Sequence, residues 1–207
     1  MVDDTDYPKR GIQTEMIGKV FSHVEHKMIL GFKGLFLGIT DGATQMLMDF
    51  CLVGERGKNG MYSLKQKQLG ARFTKERKAE SHTAKRIKEY DESKITLMIE
   101  MIKRLIARKI HFDYILADSW FACAEVFNFV TSRHIKCHYL GMIKMGKTKY
   151  HYNRKDYTAK ALVAHFDHPK KERKYSRSLG CYNVTVDVEF AGRKVRLFFT
   201  KRNKKSD

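Results

Sequence analysis

Hydrophobic residues in this chain fall into short runs broken by turn residues, with one long stretch of helical period. Ile95, Met98, Ile99, Ile102, Leu105 and Ile106 recur every three or four positions, which predicts an amphipathic helix. Ser93 or Asp91 can cap its start. Lys103, Arg104, Arg108 and Lys109 lie near its end, where the helix dipole favours cations. On both sides of this helix the pattern turns strand-like. Val2–Thr5 has the character of the last residues of a strand. Gly34–Thr40 is a buried strand, closed by the turn Asp41-Gly42, with Met46–Val53 as its hairpin partner. After the helix come a short apolar strand, Tyr114–Asp118, a helix over 122–134 and a strand over Cys137–Ile143. Asn183–Phe190 alternates polar and apolar, and Ala191-Gly192 joins it to Lys194–Thr200 as a β-hairpin. Weaker patterns predict a short helix around 13–21 and helical pieces at 64–70 and 82–90. An irregular basic stretch is expected over 144–181. Strand, hairpin, helix, strand, helix, strand is the series of an α/β fold with a mixed sheet.

Composition narrows the class. A chain of 207 residues with 43% hydrophobic positions can bury a real core, so disorder is excluded. The net charge of +18 favours a polyanionic partner. That charge is uneven: residues 144–207 carry 18 basic and 6 acidic side chains, against 23 and 17 in residues 1–143. No apolar run approaches the ~18–20 residues of a membrane span, and the start does not resemble a signal peptide. Cys51, Cys123, Cys137 and Cys181 form no CxxC pair, which suits free thiols in a reducing compartment. A cytoplasmic, nucleoid-associated protein is expected. No phosphate-cradling glycine loop, dinucleotide fingerprint or Ser-His-Asp signature is present.

Against this basic background two acids stand out. Asp118 ends the apolar strand Tyr114–Ala117, and Asp4 lies in Val2-Asp3-Asp4-Thr5. Two carboxylates on neighbouring strand ends can hold Mg²⁺, which prefers carboxylate oxygen and keeps several waters. Such ions support phosphodiester chemistry at neutral pH. Only one of Asp3 and Asp4 points inward along a strand. The same residues also fit a helix cap at Asp118 and a solvated turn at Asp4. Candidate DNA contacts are Lys144, Lys147, Lys149, Arg154, Lys155, Lys170, Lys171, Arg173, Lys174 and Arg177. They are interleaved with Tyr150, Tyr152, Tyr157 and Tyr175, which could stack on bases. A second group, from Arg72 to Lys88, is either another basic patch or a salt-bridged helix face. Trp120 and Phe121 are expected in the core.

The stretches Val-Asp-Asp-Thr, Lys19-Val20-Phe21-x-His23, Gly31-Phe-Lys-Gly-Leu-x-Leu-Gly-x-Thr-Asp-Gly42, Ala71-Arg-Phe73 and Leu116-x-Asp-Ser-Trp-Phe121 occur in this order. Together they resemble the bacterial insertion-sequence DDE transposases whose third acid lies in a Tyr-x2-Arg-x3-Glu-x6-Lys motif. The resemblance runs from residue 2 to at least residue 144. It implies an RNase H-like core over 1–145, with 146–207 as a basic segment and β-hairpin insertion in the same domain. It also implies Asp4 and Asp118 as the first two catalytic, metal-binding acids. Two Mg²⁺ ions, transposon-end and target DNA, and a homodimer on DNA go with it. The implied reaction is DNA cleavage followed by strand transfer. The third-acid motif does not occur. Only Tyr7 has an arginine at the right spacing, Arg10, and position 14 is Thr. A fragment that stops before its third acid is therefore expected. The alternatives are a DNA-binding module without catalysis and an RNase H-like nuclease.

Overall fold

The computed structural model describes residues 1–207 except 56–60, 133, 134, 136, 168–173 and 203–207. The chain divides into two compact units, Met1–Asp118 with Lys136–Leu140, and Ser119–Ile135 with Gly141–Asp207.

The first unit is built on a mixed sheet. Its strands are β1 (Val2–Pro8), β2 (Gly18–Ser22), β3 (Lys27–Thr40), β4 (Gln45–Val53), β5 (Tyr114–Ala117) and β6 (His138–Gly141). β3 is the spine. One edge pairs antiparallel with β1, and the opposite edge takes β2 along its first part and β4 along its second. β5 lies beside β1 and β6 beside β5. Where Gly31 faces both Pro8 and Gly18, backbone crowds it from two sides. A Cβ there would sit 2.1 Å from the Tyr7 carbonyl oxygen, so only glycine fits.

Between β4 and β5 come α1 (Gln66–Gly70), α2 (His82–Lys88) and α3 (Lys94–Ala107). Ser93 caps α3, its hydroxyl accepting from the Thr96 N–H at 3.0 Å. The helix packs against β3 and β4, burying Leu97, Met98, Met101, Ile102 and Leu105. Full burial of each such side chain contributes ~1.5–3 kcal/mol before chain entropy is subtracted. A second cluster joins Ile17, Phe32 and Tyr90, with the Phe32 and Tyr90 rings edge to face at 6.0 Å.

The helix expected around 13–21 is not formed; β2 occupies its second half. Gly18, Val20 and Ser22 are buried while Phe21 is exposed, a period of two rather than 3.6.

The second unit holds α4 (Ala124–Val130), β7 (Lys149–Tyr152), β8 (Lys155–Thr158), α5 (Ala159–Asp167), β9 (Lys174–Ser176), β10 (Cys181–Phe190) and β11 (Arg193–Lys201). The sheet order is β11-β10-β7-β8, with β9 also on β10. β10 and β11 are joined by Ala191-Gly192, both at positive φ (51° and 71°), as a two-residue type I′ turn requires. The described part of 144–181 is not irregular. Asn153-Arg154 makes a second tight turn, also with both φ positive, and closes the β7–β8 hairpin. Tyr150 is buried, and Tyr152 and Tyr157 pack against the core of Leu162, Phe166, Val186, Val188 and Leu197. These three tyrosines serve the core and are not available to stack on bases. Tyr175 is exposed, with its ring 5.1 Å from that of Tyr182. Among the described residues no helix is long and apolar enough to cross a membrane.

Candidate functional site

The two singled-out acids lie on neighbouring strands. β1 and β5 run parallel, with Val2 opposite Ala117. Asp4 is two residues past that pair and Asp118 is one residue past it, in the same direction. With strands ~4.8 Å apart and a rise of ~3.3 Å per residue, the two Cα atoms lie roughly 6 Å apart if Asp118 takes the next step of β5. β5 ends at Ala117 and a single 3-10 turn, Ser119–Phe121, follows, so the pleat does not dictate which way Asp118 faces. Asp118 is exposed.

Along β1 the alternation is clear. Val2, Asp4 and Asp6 occupy the more buried face, and Asp3, Thr5 and Tyr7 are exposed. Of the Asp3/Asp4 pair, Asp4 is the one turned inward. Its Oδ2 accepts a hydrogen bond from the Lys94 ammonium at 2.6 Å, with the carboxylate side chain 25% and the lysine 16% exposed. Lys94 is the first residue of α3, so the helix that covers the sheet also delivers a cation to Asp4. Two residues on, Asp6 pairs with Lys33, which stands directly across on β3 and is almost fully buried. Burial alone would raise the Asp6 pKa, but hydrogen bonds from Lys33 and Ser22 and the lysine charge outweigh it, leaving the carboxyl below its usual range.

Lys94, Asp6 and Lys33 were not singled out from the sequence. Asp4 and Asp6 share a face by simple alternation, which was a signal for Asp6. Nothing local links Lys94 to Asp4.

The residues suit a hard divalent cation as two of its ligands. Carboxylate oxygens are the right donors, and the carboxylate of Asp4 already meets a positive charge at contact distance. They do not make a complete cage: among the described residues no group of three His, Cys, Asp or Glu side chains is gathered for a metal.

The basic candidates belong to the second unit. Lys144, Lys147, Lys149, Arg154, Lys155 and Arg177 are exposed, as phosphate contacts must be. Arg154 lies in the turn of the β7–β8 hairpin, Lys155 follows it, and Lys149 begins β7 at the open end, opposite Thr158. Lys174 begins β9. Lys170, Lys171 and Arg173 lie outside the described residues. Trp120, expected in the core, is instead 53% exposed, with the Lys144 ammonium 4.3 Å from its ring centroid. The 3-10 turn has room to bury one of two adjacent aromatics, and Phe121 takes that place at 0% exposure.

The three arginines of the second basic group are structural, while Lys75, Lys78, Lys85 and Lys88 are exposed. Arg77 makes a bidentate pair with Glu15 at 2.6 and 2.7 Å. Arg72 donates to the Ile17 carbonyl. Arg86 bridges Asp49 and Glu89, which also hold Arg104. Apart from the Arg86–Glu89 contact three residues apart, these partners are remote in sequence, not the neighbouring glutamates.

A family model described as DDE superfamily endonuclease matches residues 1–175. The chain belongs to that family. Neither the curated proteins nor the solved structures contain a match. In a DDE superfamily endonuclease the named chemistry is phosphodiester cleavage, and the strands that carry Asp4 and Asp118 both lie within the matched span.

Proposed function

We propose that this chain serves the metal-dependent DNA cleavage and strand transfer of DNA transposition, on an RNase H-like core that ends in a β-hairpin insertion. The observation that carries the proposal is the parallel pairing of β1 with β5, which makes Asp4 and Asp118 neighbours in a member of the DDE family. The antiparallel β1–β3–β4 meander, the α3 crossover and the parallel return at β5 support the core assignment.

Asp4 and Asp118 would hold Mg²⁺. When bound, the metal supplies neutralisation of the developing phosphate charge and activation of the attacking oxygen. The chain's own residues do the rest. Lys94 fixes the Asp4 carboxylate and shields its charge; it must release Oδ2 before a divalent ion can use that oxygen. Lys33 keeps Asp6 occupied, which limits competition from a second carboxylate on the same face. The exposed cations around the β7–β8 hairpin bind phosphates and orient the duplex without reading its sequence. Asp4 and Asp118 are the two acids assigned to the site.

Water-proton relaxation with Mn²⁺ tests the site. Asp4→Asn and Asp118→Asn should each weaken Mn²⁺ binding at least about tenfold, ~1.4 kcal/mol for one lost charged ligand. Unchanged binding in both variants refutes the site. Mg²⁺-dependent plasmid nicking that is lost in Asp118→Asn would support the cleavage role of that acid. DNA binding without catalysis is the second reading, favoured by the ion pair that already satisfies Asp4. It expects DNA affinity with no response to Mn²⁺ or to Asp118→Asn.

A further inference from the structure

The 3-10 turn after β5 treats its two adjacent aromatic rings differently. Phe121 is fully buried, whereas Trp120 is 53% exposed. The turn is held by its own backbone: the Cys123 N–H donates to the Phe121 carbonyl at 2.9 Å, and α4 starts one residue later. The segment after β6 is built in a similar way. Ile143 packs against the core of Leu162, Val186 and Val188, while its neighbours Met142 and Lys144 are exposed. The Lys144 ammonium lies 4.3 Å from the Trp120 ring centroid. All of these residues belong to the second unit.

Folding alone does not account for an indole in this position. Tryptophan carries one of the largest apolar surfaces a chain can bury, yet here the smaller ring takes the core. The lysine covers the indole with an exposed cation–π contact, the weaker kind. A nucleobase stacked on an aromatic face is held more strongly, and any base will serve. A base can therefore replace the ammonium on the ring, and the ammonium then meets a neighbouring phosphate, which attracts it. In a duplex both faces of a base are covered by its neighbours, so the ring selects a nucleotide that is unpaired and unstacked. Trp120 is two residues past Asp118, and chain connectivity limits their Cα separation to about 7 Å.

We propose that Trp120 and Lys144 form a subsite for one unpaired nucleotide of the DNA, the indole stacking on its base and the lysine holding an adjoining phosphate. The subsite rests on the reading of this chain as one that acts on DNA, and adds to it a preference for strands opened beside Asp118. Stacking needs no metal, so the subsite and the acid pair stand or fall separately.

Trp120 is the chain's one tryptophan, so its fluorescence reports this position alone. The full chain is titrated, without metal, with a single-stranded oligonucleotide, an abasic strand of the same length and the blunt duplex. The single strand should quench Trp120 emission at least about twofold through base–indole stacking, and the other two should leave it nearly unchanged. Affinities are read from the anisotropy of dye-labelled strands. Trp120→Ala should weaken single-strand binding at least about fivefold and abasic-strand binding less than about twofold. Trp120→Phe keeps a ring and should retain most of the affinity. Lys144→Gln should weaken both strands by the same factor, as loss of one phosphate contact does. No quenching by the single strand, equal quenching by all three probes, or an equal loss for both strands in Trp120→Ala overturns the proposal. Failure of every probe to bind refutes the DNA reading and the subsite with it. Absence of Mn²⁺ binding beside an intact quenching pattern counts against the acid pair and supports the stacking.

Discussion

Replacing Lys94 with methionine separates the two roles of its ion pair with Asp4. Methionine keeps the unbranched stem and the helix propensity at the first position of α3, and removes only the charge. At 2.6 Å the gross attraction is ~6 kcal/mol for an effective dielectric near 20. Desolvation of both groups and the entropy of holding the lysine offset most of it. Exposed pairs contribute ~0.2–1 kcal/mol net, and breaking a buried pair costs ~3–5 kcal/mol. With side chains 16% and 25% exposed, this pair falls between those limits, at about 1–2 kcal/mol. Without metal, Lys94→Met should therefore be less stable in urea by about 1–2 kcal/mol. The same change frees Oδ2 for a cation, so Mn²⁺ affinity should rise by about five- to thirtyfold, the equivalent of that energy. Excess Mn²⁺ should then recover the lost stability by mass action. The assay is urea unfolding with and without Mn²⁺, alongside relaxation titration. Unchanged or weaker Mn²⁺ binding in Lys94→Met would refute the idea that the lysine and the metal compete for one carboxylate.

Arg104→Met removes contacts of 2.7 Å to Asp49 and 3.1 Å to Glu89, and should cost about 2–4 kcal/mol at pH 7 in urea unfolding. Burial alone would raise the Asp49 pKa, but Arg86 and Arg104 hold it below 3.8; its contribution is full above that value and lost as pH falls through the lower folded pKa, so the variant's deficit should shrink only there. Ala191→Gly relieves an alanine held at φ 51° in the type I′ turn and should raise the unfolding free energy by about 0.5–1 kcal/mol; a loss would argue against that turn. Arg154→Ala with Lys155→Ala should weaken duplex DNA binding equally across sequences and flatten the log-log salt slope by about 2, read by fluorescence anisotropy between low and moderate salt.

What the sequence revealed follows from the range of the forces involved. The α3 helix is legible because its apolar stripe, its Ser93 cap and its basic end are all local. The β3–β4 and β10–β11 hairpins are legible for the same reason, since turn chemistry and alternation lie within a few residues of each other. β2 escapes because five residues are too few to separate a period of two from a period of 3.6. The β7–β8 hairpin hides behind its charge: Lys149, Arg154 and Lys155 point outward and mask the inward Tyr150 and Tyr157. Asp4 and Asp118 are legible as strand-borne acids, but their adjacency depends on a pairing between positions 2 and 117 that no local pattern encodes. The Lys94 partner of Asp4 is hidden in the same way.

That long-range pairing also sets an order of events. The β1–β3–β4 meander joins strands within the first 53 residues, and its closures are short. The contact of Val2 with Ala117 must wait until the helical region between β4 and β5 has been made and folded back. During synthesis β1 therefore sits for a time with one edge bare, and Asp4 is held in place on its strand before Asp118 exists. Asp4 and Asp118 become neighbours only when β5 docks on β1, and that same step creates the edge on which β6 is then laid.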